Sequence, residues 1–212
     1  MRNKLFVAAV AATTIVPAVV APMQTEAAQQ TFKDVPDNYY AHTEITNLVD
    51  RGIIKGFSNN TFKPEQQVTR AEFATILARA LDWPAADSNF KDVSKSSALY
   101  DGVSRAHNAT IARGFADGTF KPNKLVTRED MAVMIDRAMQ LKAPYTYTKE
   151  LDFTDSHKIG AYSKTAIERL YYYNVMGAYT GTNFEGDTPG TRAETVRTIY
   201  NMLKVFDNSS FE

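Results

Sequence analysis

The stretch VTRAEFATILARAL, residues 68–81, has the spacing of an amphipathic helix. Its apolar side chains recur at i, i+3, i+4, i+7 and i+8, at positions Phe73, Ile76, Leu77, Ala80 and Leu81. Two related stretches follow it, VTREDMAVMIDRAM (126–139) and GTRAETVRTIYNML (190–203). The pattern predicts three amphipathic helices whose apolar faces build the core.

The similarity extends beyond these helices, because the chain repeats itself three times. FKDVPDNYY…GFSNNTFKPEQQVTRAE (32–72) and FKDVSKSSA…GFADGTFKPNKLVTRED (90–130) match at a constant offset of 58 residues. A more divergent third unit, FTDSHKIGAYS…TRAE, covers residues 153–194. We predict repeats at 31–83, 89–142 and 152–206, with a short tail at 207–212.

Each repeat is predicted to fold as helix, loop and helix. In the first repeat Ile45, Leu48 and Val49 lie at helical spacing, and the Gly, Asn and Pro residues of GFSNNTFKP end that helix. The apolar positions on the helices are interpreted as core rather than as a cofactor pocket. The predicted fold class is all-α.

One residue of the TRAE motif does not fit a simple helix start. Thr69 and Glu72 have the spacing of a capping box, in which each side chain bonds the other residue's backbone N–H. Arg70 takes no part in that exchange, and the positive end of the helix dipole mildly opposes a cation. The same oddity recurs at Arg128 and Arg192.

Two interpretations of these arginines stay open. One is a structural salt bridge to another repeat, for example from Arg70 to an acid of an FKDV segment. The other is an anion site, since free N–H groups at a helix start and a planar guanidinium suit a carboxylate or a phosphate. Under the second interpretation, removing Arg70 would weaken binding and leave the fold intact, because capping does not use it.

Other positions shared by the repeats suit a sugar ligand. Tyr40 and Tyr162 offer rings on which a pyranose can stack, and three aspartates can accept from hydroxyl groups or act as turn residues. Two loop glycines either turn the chain or permit close approach of a ligand. The aspartates are Asp34, Asp92 and Asp155, and the glycines are Gly56 and Gly114.

The composition and the N-terminal segment indicate the compartment of the protein and exclude some classes of partner. Residues 1–28 combine a short basic start with an apolar run broken by Pro17, the layout of a cleaved signal peptide rather than a membrane anchor. Without them the chain carries 22 basic and 23 acidic side chains and no cysteine. We therefore expect an exported protein with no membrane span after cleavage, no disulfides and no nucleic-acid partner.

The repeats closely resemble the S-layer homology (SLH) domain, through FKDV, GIIKGF, TFKP and VTRAE in that order. The resemblance covers about residues 31–205. It implies a pseudo-threefold module around a central three-helix bundle, with grooves between three lobes. It also implies non-covalent anchoring to a bacterial cell wall or surface layer, through secondary cell wall polysaccharide carrying pyruvylated N-acetylmannosamine.

Carried over by position, the resemblance assigns ligand binding to the groove arginine, the aspartate and the loop glycine of each repeat. These are Arg70, Arg128 and Arg192; Asp34, Asp92 and Asp155; and Gly56 and Gly114. The chain departs from the family in five places. Tyrosine replaces the usual tryptophan at Tyr40 and Tyr162, Ala98 takes that position in the second repeat, and the third repeat has Ala178 and Gly186 for the loop glycine and proline.

Two other functions are weighed against wall binding. A cell-wall hydrolase is disfavoured, because the three histidines occupy non-equivalent positions, no metal-ligand spacing appears and no nucleophile motif is present. The sequence thus predicts no catalytic residues, no metal and no cofactor. A structural or accessory role in a surface lattice, by self-assembly or by recruiting a protein partner, is the second alternative.

Overall fold

A computed structural model describes residues 31–208; the predicted signal peptide and the last four residues lie outside this range. Six α-helices and one 3-10 turn account for the regular structure of these residues. The helices are α1 (His42–Asp50), α2 (Arg70–Ala80), α3 (Tyr100–Asn108), α4 (Arg128–Lys142), α5 (Ala161–Tyr172) and α6 (Arg192–Asn208), and the 3-10 turn is Ser156–Lys158. The described residues are thus mainly helical and contain no sheet, which confirms the predicted fold class.

The long helices begin where the sequence predicts. Thr69 accepts from the Glu72 N–H, and the Glu72 carboxylate accepts from the Thr69 N–H at 2.8 Å, completing the capping box. At α4 the Thr127 side chain likewise accepts from the Asp130 N–H, at 3.2 Å, but the Asp130 carboxylate does not complete a capping box. The predicted apolar stripes are buried, with Phe73, Leu77, Met131, Ile135, Val196 and Ile199 fully enclosed.

The two helices of one repeat do not form a self-contained hairpin. Instead, the second helix of each repeat packs against the first helix of the next: α2 on α3, α4 on α5, and α6 on α1. Helix α6 also contacts α2 and α4 at the centre. Periodicity predicts the order of the helices along the chain. It does not predict that the second helix of each repeat packs against the first helix of the next repeat.

The centre of the module is closed by a cycle of backbone hydrogen bonds. Val126 N–H donates to Val68 C=O at 3.0 Å, Gly190 N–H to Val126 C=O at 2.9 Å, and Val68 N–H to Gly190 C=O at 3.0 Å. Each bond joins two different repeats, so the three repeats form a ring with approximate threefold symmetry.

Paired phenylalanines hold each loop to its own repeat. The first residue of each FKDV-type segment packs on the phenylalanine of the later TFKP-type turn, with centroids 5.1 to 5.5 Å apart. The second member of each pair, Phe62, Phe120 or Phe184, is fully buried. Within residues 31–208, no helix has the length and apolar character needed to cross a membrane.

Candidate functional site

Each of the three arginines is fixed to the loop of the next repeat by two hydrogen bonds. Arg70 donates from Nε to Phe120 C=O at 3.2 Å and from Nη2 to Arg113 C=O at 3.0 Å. Arg128 bonds the carbonyls of Phe184 and Gly177, at 2.7 and 2.8 Å. Arg192 returns to the first repeat, bonding Phe62 and Lys55 at 2.8 Å each.

Two aromatic rings flank each guanidinium. The guanidinium carbon lies 4.4 to 5.2 Å from the centroids of both rings, within the range of a cation–π contact. One ring is the buried phenylalanine of the loop and the other follows the loop glycine position, at Phe57, Phe115 or Tyr179. Sequence comparison aligned these second aromatics but gave them no role.

The helix starts do not offer the free N–H groups expected from the sequence. Arg70 N–H donates to Lys124 C=O at 2.8 Å, and Ala71 N–H donates to Pro122 C=O at 3.2 Å. Equivalent bonds occupy the first two N–H groups of α4 and α6. An anion entering the groove would therefore meet the edge of the guanidinium rather than the backbone of the helix.

Salt bridges between repeats are present, but not with the acids that the sequence suggested. Arg70 Nη1 lies 3.8 Å from Asp130 Oδ2, and Arg128 Nη1 pairs with Glu194 Oε1. Both acids occupy the third position of the following repeat's second helix, rather than an FKDV segment. Nε and Nη2 of each arginine are held by loop carbonyls, so the salt bridge and an anionic ligand would use the same group, Nη1.

Burial lowers the pKa values of the arginines and makes their hydrogen bonds important for the stability of the fold. Desolvation lowers the pKa of Arg70 and Arg192, and lowers that of Arg128 to about 10, so all three remain cationic at neutral pH. Arg70 and Arg128 are only 6% and 3% exposed. Removing either side chain would leave two loop carbonyls without their donors, so these contacts argue against the expectation that Arg70 is dispensable for folding.

The three aspartates lie in the loops and bind backbone N–H groups of their own repeat. Asp34 accepts from Phe62 N–H at 2.8 Å and from Lys63 N–H at 2.7 Å, and Asp92 and Asp155 repeat the pattern. Partial burial opposes ionisation, but these N–H donors outweigh it and hold the pKa of Asp34 and of Asp155 below the usual value. The turn-forming alternative thus describes the contacts of these side chains.

The two loop glycines make room for a ring. A Cβ at Gly56 would overlap the Phe32 ring, and one at Gly114 would overlap the Phe90 ring. The close approach that glycine permits here is made by the FKDV phenylalanine of the same repeat.

The two tyrosines reach grooves in which all three repeats meet. Tyr162 of the third repeat lies beside Arg70, Asp130 and Arg137 in a cavity of about 190 Å³, which we call the Arg70 groove. Tyr40 of the first repeat lies with Arg128, Glu194 and Arg197 in a cavity of about 620 Å³, the Arg128 groove. Tyr40 and Tyr162 are 57% and 64% exposed, so their rings are accessible.

By the repeat correspondence, Arg192, Lys55, Phe57 and Glu72 define a third position, the Arg192 groove. The matching aromatic position in the second repeat is Ala98. Sequence reasoning missed the additional cations Arg113, Arg137 and Arg197, because they differ between repeats and only the fold brings them to the grooves. Within residues 31–208, no cluster of three or more His, Asp or Glu side chains could hold a metal ion.

Comparison with known proteins agrees with this architecture. The S-layer homology domain matches three segments, residues 31–74, 89–132 and 152–196. The Surface-layer 125 kDa protein of Lysinibacillus sphaericus is 30% identical over 209 residues, covering 95% of this chain and 17% of that protein. The S-layer protein sap of Bacillus anthracis is 29% identical over 206 residues, covering 96% of this chain and 25% of its own length.

An enzyme is also among the relatives. An Endoglucanase of Bacillus sp. strain KSM-635 is 29% identical over 174 residues, covering 81% of this chain and 18% of the enzyme. The chain spans between a sixth and a quarter of the length of these three relatives. The family model matches three segments that together cover more than half of the chain, and the chain belongs to the S-layer homology domain family.

Proposed function

We propose that this chain is a non-catalytic module that binds secondary cell wall polysaccharide in the grooves between its repeats, through pyruvylated N-acetylmannosamine. Family membership and the surface-layer relatives indicate a secreted protein of the cell surface with a wall-anchoring role. The observation that carries the finer proposal is the guanidinium, fixed by two loop carbonyls and lining a groove beside an exposed tyrosine.

The chemistry of the Arg70 groove suits such a ligand. The guanidinium is held in place before any ligand arrives, which lowers the entropic cost of binding. A ketal-linked pyruvate supplies a carboxylate that can take the place of Asp130 beside Arg70 Nη1, and the sugar ring supplies an apolar face for Tyr162. A polymer that occupies more than one groove gains avidity from weak individual contacts.

Wall binding explains better than catalysis why proteins with different activities share this module. The Endoglucanase and the two surface-layer proteins share only this module with the chain, and it forms a minor part of each. A lattice role by self-assembly is the second candidate, favoured by the names of the surface-layer relatives.

Sedimentation with wall sacculi tests the proposal. We expect the protein lacking residues 1–28 to pellet with native sacculi, and to stay in the supernatant with sacculi stripped of polysaccharide or of pyruvate. Binding to stripped sacculi would refute the ligand, and absence from the native pellet would refute anchoring. Lysis of the sacculi would instead reveal a hydrolase.

Tyr162→Ala separates groove binding from folding. We expect about tenfold weaker binding to sacculi, which corresponds to about 1.4 kcal/mol, because a polymer that spans several grooves loses avidity when one contact is removed. The melting temperature should be unchanged because the ring is exposed. Tyr147→Ala is the matched control, since Tyr147 is 66% exposed and lines neither described groove cavity. Equal loss in both variants would contradict a role for Tyr162 in the groove.

A further inference from the structure

The acid at the third position of each second helix has a different partner in each groove. In the first repeat Glu72 turns back toward its own helix start. Its Oε2 accepts from Thr69 N–H at 2.8 Å and from Thr69 Oγ1 at 2.9 Å. The carboxylate that neighbours Arg192 is thereby engaged by the capping box.

Asp130 is one methylene shorter and points into the Arg70 groove. Its carboxylate lies 3.8 Å from Arg70 Nη1 and 3.9 Å from Lys124 Nζ, and Tyr162 Oη approaches it at 3.5 Å. These are the cations and the hydroxyl that line the groove. Asp130 therefore occupies the place of an incoming carboxylate.

Glu194 has the full length of Glu72 but pairs with Arg128 Nη1. Both side chains of this pair are nearly inaccessible, at 3% and 9% exposure. The cation of the Arg128 groove is thus neutralised from within as well.

Arg192 differs from the other two arginines in both respects. Within residues 31–208 it has no carboxylate at ion-pair distance, and it is the most exposed of the three. It keeps the two carbonyl bonds and the two flanking rings that fix the guanidinium.

We propose that the third-position acid acts as an internal competitor that sets which groove accepts an anionic ligand, and that Arg192 is the principal anion-binding arginine. This inference rests on the proposed function. A ligand carboxylate in the Arg70 groove must displace Asp130, whereas in the Arg192 groove the capping box holds Glu72 beyond ion-pair distance, and Glu72 acts on Arg192 only through its longer-range charge. Because Ala98 stands at the aromatic position for this groove, recognition there depends on charge more than on stacking, and binding weakens as salt is raised.

Side-chain NMR reads the three sites separately in the intact protein. The Nε–H of each arginine donates to a loop carbonyl, which slows exchange with water and makes its signal observable. The probe is the methyl glycoside of N-acetylmannosamine carrying a ketal-linked pyruvate, titrated into the protein lacking residues 1–28. We expect the Arg192 signal to respond at the lowest probe concentration. The Arg70 and Arg128 signals should need probe concentrations at least about tenfold higher.

Two substitutions that preserve charge test the competition. Glu72→Asp shortens the acid so that it leaves the capping box, and we expect about tenfold weaker binding at Arg192. Asp130→Glu gives the second repeat an acid long enough to complete a capping box with Thr127. We therefore expect about tenfold tighter binding of the probe at Arg70. Glu150→Asp, in an exposed linker, is the matched control and should change neither affinity.

The outcomes distinguish the two proposals. Unchanged affinities in both variants, or a first response at Arg70 or Arg128, would overturn the competition while leaving wall binding intact. No response of wild-type protein to the probe would refute the ligand of the proposed function, and the competition with it. If Glu72→Asp strongly lowers the melting temperature, the probe affinity of Asp130→Glu becomes the test of the competition, because that substitution removes no bond from the capping box.

Discussion

At the scale of single residues, each loop aspartate stabilises a backbone that disfavours L-residues. Lys63, Lys121 and Glu185 have φ between 56° and 57°, in the left-handed region that costs a non-glycine residue about 1 kcal/mol. The N–H of each donates to the second oxygen of Asp34, Asp92 or Asp155. The aspartate thus offsets the cost of the turn that carries the buried phenylalanine.

Asp34→Asn tests this role. An asparagine has one acceptor oxygen where the two N–H groups need two, so we expect the free energy of unfolding at pH 7 to fall by about 1–3 kcal/mol. The pKa of Asp34 is depressed in the folded protein, so its contribution is present above the unfolded pKa near 4 and disappears as the pH falls through the folded pKa. Urea unfolding of both proteins at pH 7 and at pH 2.5 should show the difference shrinking in acid. An equal difference at the two pH values would contradict the role of the charge.

At the scale of elements, the second and third repeats carry a pair of linked departures, one in each. Glu129 stands where the other repeats have Ala71 and Ala193, and Gly186 stands where they have Pro64 and Pro122. A Cβ at Gly186 would lie 2.6 Å from Glu129 Oε1. The Glu129 carboxylate is held by Gly160 N–H and Ser163 Oγ at the start of α5. The glycine therefore leaves room for a glutamate whose carboxylate is bound at the start of α5.

This coupling predicts a non-additive double substitution. Gly186→Pro should destabilise the protein by about 2 kcal/mol, because the ring displaces Glu129 from its hydrogen bonds. In the presence of Glu129→Ala the same proline should cost less than about 0.5 kcal/mol, a coupling typical of contacting residues. Chemical unfolding of the wild type, the two single variants and the double variant measures this coupling. Additive free energies of unfolding would show that the two departures are independent.

How far the sequence predicts the structure differs between elements and sites. Periodicity, threonine caps and loop punctuation predict the helices, because these signals are local. Phe73, Ile76 and Leu77 are buried as predicted, whereas Ala80 and Leu81, at the end of α2, are only partly buried. The packing of α2 on α3 instead of α1 has no local signal, since both partners would satisfy the same apolar face. For the same reason the sequence identified Arg70 as unusual but not its bonds to Arg113 and Phe120, which come from a different repeat.

At the scale of the whole molecule, the core belongs to no single repeat. Each of the helix pairs α2–α3, α4–α5 and α6–α1 joins two repeats. Cutting the exposed segment after residue 146 therefore separates α4 from α5 and α6 from α1. Neither fragment retains a complete set of partners.

We expect fragments 31–146 and 147–208 to lack cooperative thermal unfolding when separate, and to regain it when mixed in equal amounts. The reason is that each fragment leaves apolar faces of α1 and α4, or of α5 and α6, exposed to water. Circular dichroism during heating measures this, with the uncut chain as reference. Cooperative melting of 31–146 alone would contradict a shared core.

The cycle of bonds through Val68, Val126 and Gly190 also limits how the family's architecture can grow. Solenoid repeats stack with open ends, so copies can be added one at a time. Here the third repeat already binds the first, and no donor or acceptor of the cycle is left for a fourth. Gene duplication would therefore lengthen such a protein in steps of three, each step adding one complete ring, and a single extra copy would be carried as an unpartnered appendage.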